Sequence, residues 1–111
     1  MASGTIVKHD ISNVTDFIKF DTGIMIAFGS ESVATTQGGG RWGYRGTVTK
    51  DLTSFGFTSM LCGYANVAEN AAYWDAGLDS IDNTNKTVRL TLGGNTTATK
   101  TVYWAVIGLW E

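Results

Sequence analysis

TVYWAVIGLW, residues Thr101 to Trp110, decides the fold. The stretch holds no proline and no charge, and β-branched or aromatic side chains dominate it, the residue types that suit a pleated strand. Alternation puts Val102, Trp104, Val106 and Trp110 on one face and Tyr103, Ala105, Ile107 and Leu109 on the other. Both faces are apolar. A strand of that kind is either central, with cover on both sides, or part of an interface between copies.

Working outward, Gly23 to Gly29 (GIMIAFG) has the same two-sided character, with Ile24, Ile26 and Phe28 opposite Met25 and Ala27. Asp21-Thr22-Gly23 before it is a tight turn. Thr87 to Leu92 is the cleanest period-two segment: Val88, Leu90 and Leu92 inside, Thr87, Arg89 and Thr91 outside. Asp82-Asn83-Thr84-Asn85 makes the hairpin loop before it, and Gly93-Gly94-Asn95 is expected to turn the chain after it. Tyr73 to Ile81 is expected as a strand with Trp74, Ala76 and Leu78 inside and Tyr73, Asp75 and Asp79 outside. Phe55 to Tyr64 is expected to alternate Phe55, Phe57, Ser59 and Leu61 against Thr58, Met60, Cys62 and Tyr64, with a polar break from Asn66 to Asn70. Thr5 to Lys8, Asp16 to Phe20 and the mixed segment Ser30 to Thr36 are shorter β-like pieces. The economical architecture is an all-β, antiparallel sandwich of about six or seven strands, in one domain without repeat or linker.

Composition narrows the function classes. The chain has 111 residues and a net charge of -2, and its pI is about 5.2. A protein that grips nucleic acid by neutralising phosphates is normally basic, so nucleic acid is not an expected partner. No run approaches about 20 apolar residues, so membrane insertion by a helix is not expected. One cysteine and one histidine (Cys62 and His9) exclude a disulfide framework and give a metal site too few ligands. Cys62 is expected as a small buried apolar residue. The glycine runs Gly38 to Gly40 and Gly93-Gly94 lack a following GK[ST], so no phosphate loop and no cofactor is expected. The start, MASGTIVKHD, lacks the apolar stretch of a signal peptide, which implies synthesis in the cytoplasm; the sequons at Asn13, Asn85 and Asn95 are then turn chemistry. Charged residues are only 16%, against about 25% in typical domains, which means either an unusually large core or, as the small size favours, apolar surface covered by other subunits.

GIMIAFGS (Gly23 to Ser30) at one end and VYWAVIGLW (Val102 to Trp110) at the other resemble the C-terminal tip domain of bacteriophage tail fibre and collar proteins, which is similar to the H-type lectins. The resemblance covers residues 22–110, with 1–21 as an N-terminal extension. It implies an H-type-lectin-like sandwich assembling as a trimer, carried on the virion tail and made in the host bacterium. It implies contact with a receptor on the host surface, a glycan or a protein.

The residues themselves offer two places for such contact. RWGYRG, beside the triple glycine, gathers Arg41, Trp42, Tyr44 and Arg45 within five residues. Aromatic rings stack on the apolar faces of sugars, and guanidinium groups donate paired hydrogen bonds to hydroxyls or carboxylates. Tyr73, Asp75 and Asp79 form the second group, as aromatic surface and hydroxyl acceptors. Each has a structural alternative, in which Trp42 and Tyr44 cover the sandwich end and the arginines are simply solvated. The leading expectation is non-enzymatic recognition of a bacterial surface, strengthened by threefold display. The alternatives are a trimerisation module with no ligand and, third, a small polysaccharide hydrolase, for which no convergent acid–base group is evident.

Overall fold

The computed structural model describes residues 6–10, 15–39, 43–67 and 74–111. Among them nine strands form two antiparallel sheets. The strands are β1 (Ile6–Asp10), β2 (Thr15–Phe20), β3 (Ile24–Ala34), β4 (Thr36–Gln37), β5 (Tyr44–Asp51), β6 (Ser59–Val67), β7 (Asp75–Asp82), β8 (Thr87–Gly94) and β9 (Thr99–Leu109). A single 3-10 turn, Thr53–Phe55, precedes β6. The large sheet runs β1-β2-β3-β9-β6 and the small sheet β4-β5-β8-β7. The expected all-β antiparallel sandwich is present. Its strands outnumber the expectation because the short pieces at the start join the large sheet and the chain adds β4.

The closing strand does what its sequence dictates. β9 pairs with β3 from Thr99↔Ala34 to Leu109↔Ile24, and with β6 on its other side. Val102, Trp104 and Val106 are buried between the sheets, while Tyr103 is exposed on the outer face. Met25, Ala27 and Val33 from β3 and Val88, Leu90 and Leu92 from β8 complete the core. Fully burying a side chain such as Leu90 contributes about 1.5–3 kcal/mol. Phe55 meets Phe17 and Trp104 edge-on, with ring centroids 6.0 and 6.4 Å away.

Three expectations fail for physical reasons. The Phe55 to Tyr64 alternation breaks because Phe55 closes the 3-10 turn and β6 carries a bulge between Met60 and Cys62. Met60 is therefore buried, whereas Leu61 and Tyr64 are exposed, and Cys62 is half-buried on the outer side rather than in the core. The polar break expected from Asn66 starts later, since β6 continues to Val67. Gly93 and Gly94 do not turn the chain but extend β8, because neighbours stand where side chains would go: an added Cβ would lie 2.6 Å from Asp75 Oδ1 at Gly93 and 2.3 Å from the Trp74 ring at Gly94.

The molecule has two poles. At one, the Trp110 indole N–H donates to the Phe20 carbonyl at 2.8 Å, its backbone N–H donates to Gly23, and Ile6 pairs with Phe20. Strand ends at both extremes of the described chain thus lie there, beside the 3-10 turn and the β7–β8 loop. At the opposite pole, among the described residues, lie 35–39 with Gly43, Trp74 and 95–98. Buried Thr35, where the chain leaves the large sheet for the small one, holds this pole together. Its hydroxyl donates to the Thr96 or Ala98 carbonyl and accepts from the Ala98 N–H.

Candidate functional site

The sequence singled out seven side chains, and the fold brings those it describes to one region. Tyr44 and Arg45 begin β5, and Asp75 and Asp79 lie on β7, at opposite edges of β8. Arg41, Trp42 and Tyr73 lie outside the described residues. Register puts Arg45, Gly93 and Asp75 in one row across the small sheet, near the loop-bearing pole. Alternation points Arg45, Thr47 and Thr49 of β5, Arg89 of β8, and Asp75 and Asp79 of β7 outward. Trp74 is spent on structure, as its alternation implies. One side of its ring covers Gly94 of the small sheet, and Lys100 of the large sheet reaches within 5.0 Å of its centroid.

Asp79 is the electrostatic centre of this outer face. Arg89 grips it with two hydrogen bonds, Nε to Oδ1 at 2.9 Å and Nη2 to Oδ2 at 3.1 Å, and Arg45 Nη2 approaches Oδ2 at 3.5 Å. The Arg89 hydrogen bonds hold the Asp79 carboxyl below its ordinary range, against the opposing effect of burial. The Thr91 hydroxyl also lowers it, from close by but outside full hydrogen-bond geometry, and the charges of Arg89 and Arg45 add to this. The long contact leaves most of the Arg45 donors available to solvent or ligand. Arg89, which the candidate set lacked, had one signal in the sequence: its outward position in the period-two run Thr87 to Leu92.

The lowered carboxyl gives a pH prediction. Asp79 binds its proton less readily folded than unfolded, so its stabilising effect is complete above the unfolded value of about 3.9 and is lost as pH falls through the lower native value. Asp51, held down by the Thr53 backbone N–H, and Asp82, held down by that of Asn85, act with the same sign. Asp79→Asn should therefore lose less stability than the wild type between neutral pH and strong acid. Urea midpoints measured along that series check it, and parallel curves for the two proteins would refute it.

The outer face of the large sheet differs in kind. β3 presents Ile24, Ile26, Phe28, Ser30 and Ser32; β9 presents Thr101, Tyr103, Ala105, Ile107 and Leu109; β6 presents Cys62, Tyr64 and Asn66. None is charged. Among the described residues no three His, Cys, Asp or Glu side chains group to hold a metal, and no helix is long and apolar enough to cross a membrane.

The chain has the fold of a Pseudomonas aeruginosa R1 pyocin fibre fragment from the C-terminal part of that protein, with a TM-score of 0.65 at 15% identity. An N-truncated R2-type pyocin tail fibre matches with a TM-score of 0.56, also at 15% identity. The likeness covers 96% and 95% of this chain but only 29% and 39% of those, so the chain spans about a third of the fibre pieces it matches. No family model and no curated protein matches the sequence. The tail-fibre resemblance carried by Gly23 to Ser30 and Val102 to Trp110 thus has its counterpart in the fold, since those segments form the central pair β3 and β9.

Proposed function

We propose that this protein is a tail-fibre domain of a phage or phage-like particle that binds the surface of a host bacterium without catalysis. The ligand is a surface glycan, engaged in a lectin-like manner at the pole opposite the described chain ends. Arg41, Trp42, Tyr44, Arg45, Tyr73 and Asp75 are the contacting residues, and Asp79 holds Arg45 in place. Copies act as a trimer, so that weak single contacts gain avidity. The observation that carries this reading is the pyocin-fibre-like fold, in which Arg45 and Asp75 share one row with Gly93 across the small sheet. One fact favours a second reading, a fibre assembly module without a ligand: Asp79 is already engaged by Arg89 and Arg45.

Labelled protein applied to immobilised bacterial surface polysaccharides and to whole cells separates the two. Binding is expected, with Trp42→Ala and Arg45→Ala each weakening it by about tenfold or more. Absence of binding by the assembled protein, or unchanged binding by both variants, would overturn the receptor reading in favour of the assembly module.

A further inference from the structure

We infer that the exposed arginine pair of the small sheet, Arg45 with Arg89, takes the carboxylate of an acidic sugar, so that the glycan recognised is a polysaccharide whose charge is carboxylate. This deepens the receptor reading above by naming its ligand class, and it rests on that reading. Two guanidinium groups share one carboxylate on this face. Both Asp79 oxygens are taken by Arg89, at 2.9 and 3.1 Å, so Arg45 meets an acceptor already filled and stops at 3.5 Å. The arginine side chains are 44% and 47% exposed, against 31% for Asp79, so the charge this cluster shows to solvent is positive. Arg45 is also held at its stem. Gly39 packs on it so closely that a Cβ there would lie 3.4 Å from Arg45 Cβ and 3.5 Å from Cδ. A fixed stem with a loosely held head leaves an ordered guanidinium fork free to pair with a second carboxylate.

Room for the rest of a sugar lies alongside. Register puts Thr47, Thr91 and Gly77 in one row across the small sheet, next on the outer face to the row of Arg45, Gly93 and Asp75. A Cβ on Gly77 would meet nothing within 4 Å, so the face is open there. The exposed Thr47 hydroxyl and the exposed Asp75 carboxylate flank the opening as partners for sugar hydroxyls. Two strand spacings, about 10 Å, separate the Arg45 and Asp75 backbones, which accommodates one sugar residue. Charge selects the acid group. A neutral sugar would strip water from two guanidinium groups and return no counter-charge. A phosphate carries about -1.5 to -2 and would meet Asp75 and Asp79 at close range, whereas a carboxylate adds a single charge and evens the arginine pairing. The net charge of the chain is -2, so no long-range field gathers acidic polymer. Selectivity is local, and removing one arginine removes it.

Bacterial surface polysaccharides that contain uronic acids supply the test, immobilised in native form, after carboxyl reduction to the neutral sugars, and after dephosphorylation. The wild-type protein should bind the native and dephosphorylated forms alike and the reduced form about tenfold or more weakly. Arg45→Gln should bind native and reduced forms equally, and Arg45→Lys, which keeps the charge without the fork, should fall between. Gly77→Ile should keep the circular dichroism of the wild type, because a β-branched residue suits an open strand position, yet lose binding by filling the space. Equal wild-type affinity for native and reduced forms, loss of binding on dephosphorylation, an Arg45→Gln variant that still prefers the native form, or undiminished binding by folded Gly77→Ile would overturn the acidic-sugar assignment and leave the receptor reading standing. Binding to none of the three forms would overturn the receptor reading and this inference with it.

Discussion

Replacing Gly46 with alanine is expected to destabilise the protein by roughly 3 kcal/mol or more, lowering the thermal midpoint by about 10 °C or more. Gly46 lies on β5, buried, at the corner where β3 ends and the chain passes through Thr35 into β4. The two layers nearly touch there. A Cβ on Gly46 would sit 2.0 Å from the Ala34 carbonyl oxygen, 2.7 Å from its carbon and 3.1 Å from Val33 Cγ1. The obstacle is backbone, held in place by β3–β9 pairing, and cannot rotate aside as a side chain would. Gly77→Ala is the control, because a Cβ there meets nothing within 4 Å, and a small gain of about 0.4–1 kcal/mol is expected from the stiffer unfolded chain. Thermal unfolding followed by circular dichroism measures both. A Gly46→Ala midpoint equal to that of the wild type would mean the sheets do not approach as closely as described.

Trp104→Ala should cost about 3–5 kcal/mol, the range for deleting a large aromatic from a core. Trp104 projects from the middle of β9 into the main cluster, against Phe55 and beside Met25, Leu90 and Val106. Trp104→Phe is the informative partner. The indole N–H is buried with no acceptor among the described residues, so phenylalanine removes an unpaired donor along with some volume. An orphaned buried donor costs about 1–3 kcal/mol, which offsets part of the cavity left behind. The phenylalanine variant should therefore lie much nearer the wild type than the alanine variant in urea midpoint. Equal losses for the two would show that an acceptor for the N–H exists.

The sequence made the central strands legible because their side chains obey a strict period of two. Val102, Trp104 and Val106 against Tyr103 in β9, and Val88, Leu90 and Leu92 against Arg89 in β8, face as alternation demands. Reading by alternation fails where one residue is inserted. The bulge after Met60 shifts the count, so Cys62 and Tyr64 emerge on the side opposite Met60. It also fails where a glycine serves a neighbour: Gly93 and Gly94 stay extended because Asp75 and Trp74 occupy their side-chain space, a fact lodged in a different strand. The candidate site shows the same division. Outward positions for Asp75 and Asp79 followed from local pattern, but the meeting of Arg45, Asp79 and Arg89 depends on β5 and β7 both pairing with β8, which no local spacing encodes.

β6 forms one margin of the large sheet, and such margins invite further strands to add on. Here the Asn83 side chain stands in for a strand. Its Nδ2 donates to the Met60 carbonyl at 3.0 Å and its Oδ1 accepts the Met60 N–H at 2.7 Å. That carboxamide plug occupies the pair of backbone groups from which lateral growth would start, and the neighbouring bulge twists the ladder out of register. A further strand approaching β6 would have to displace this plug before it could pair at Met60.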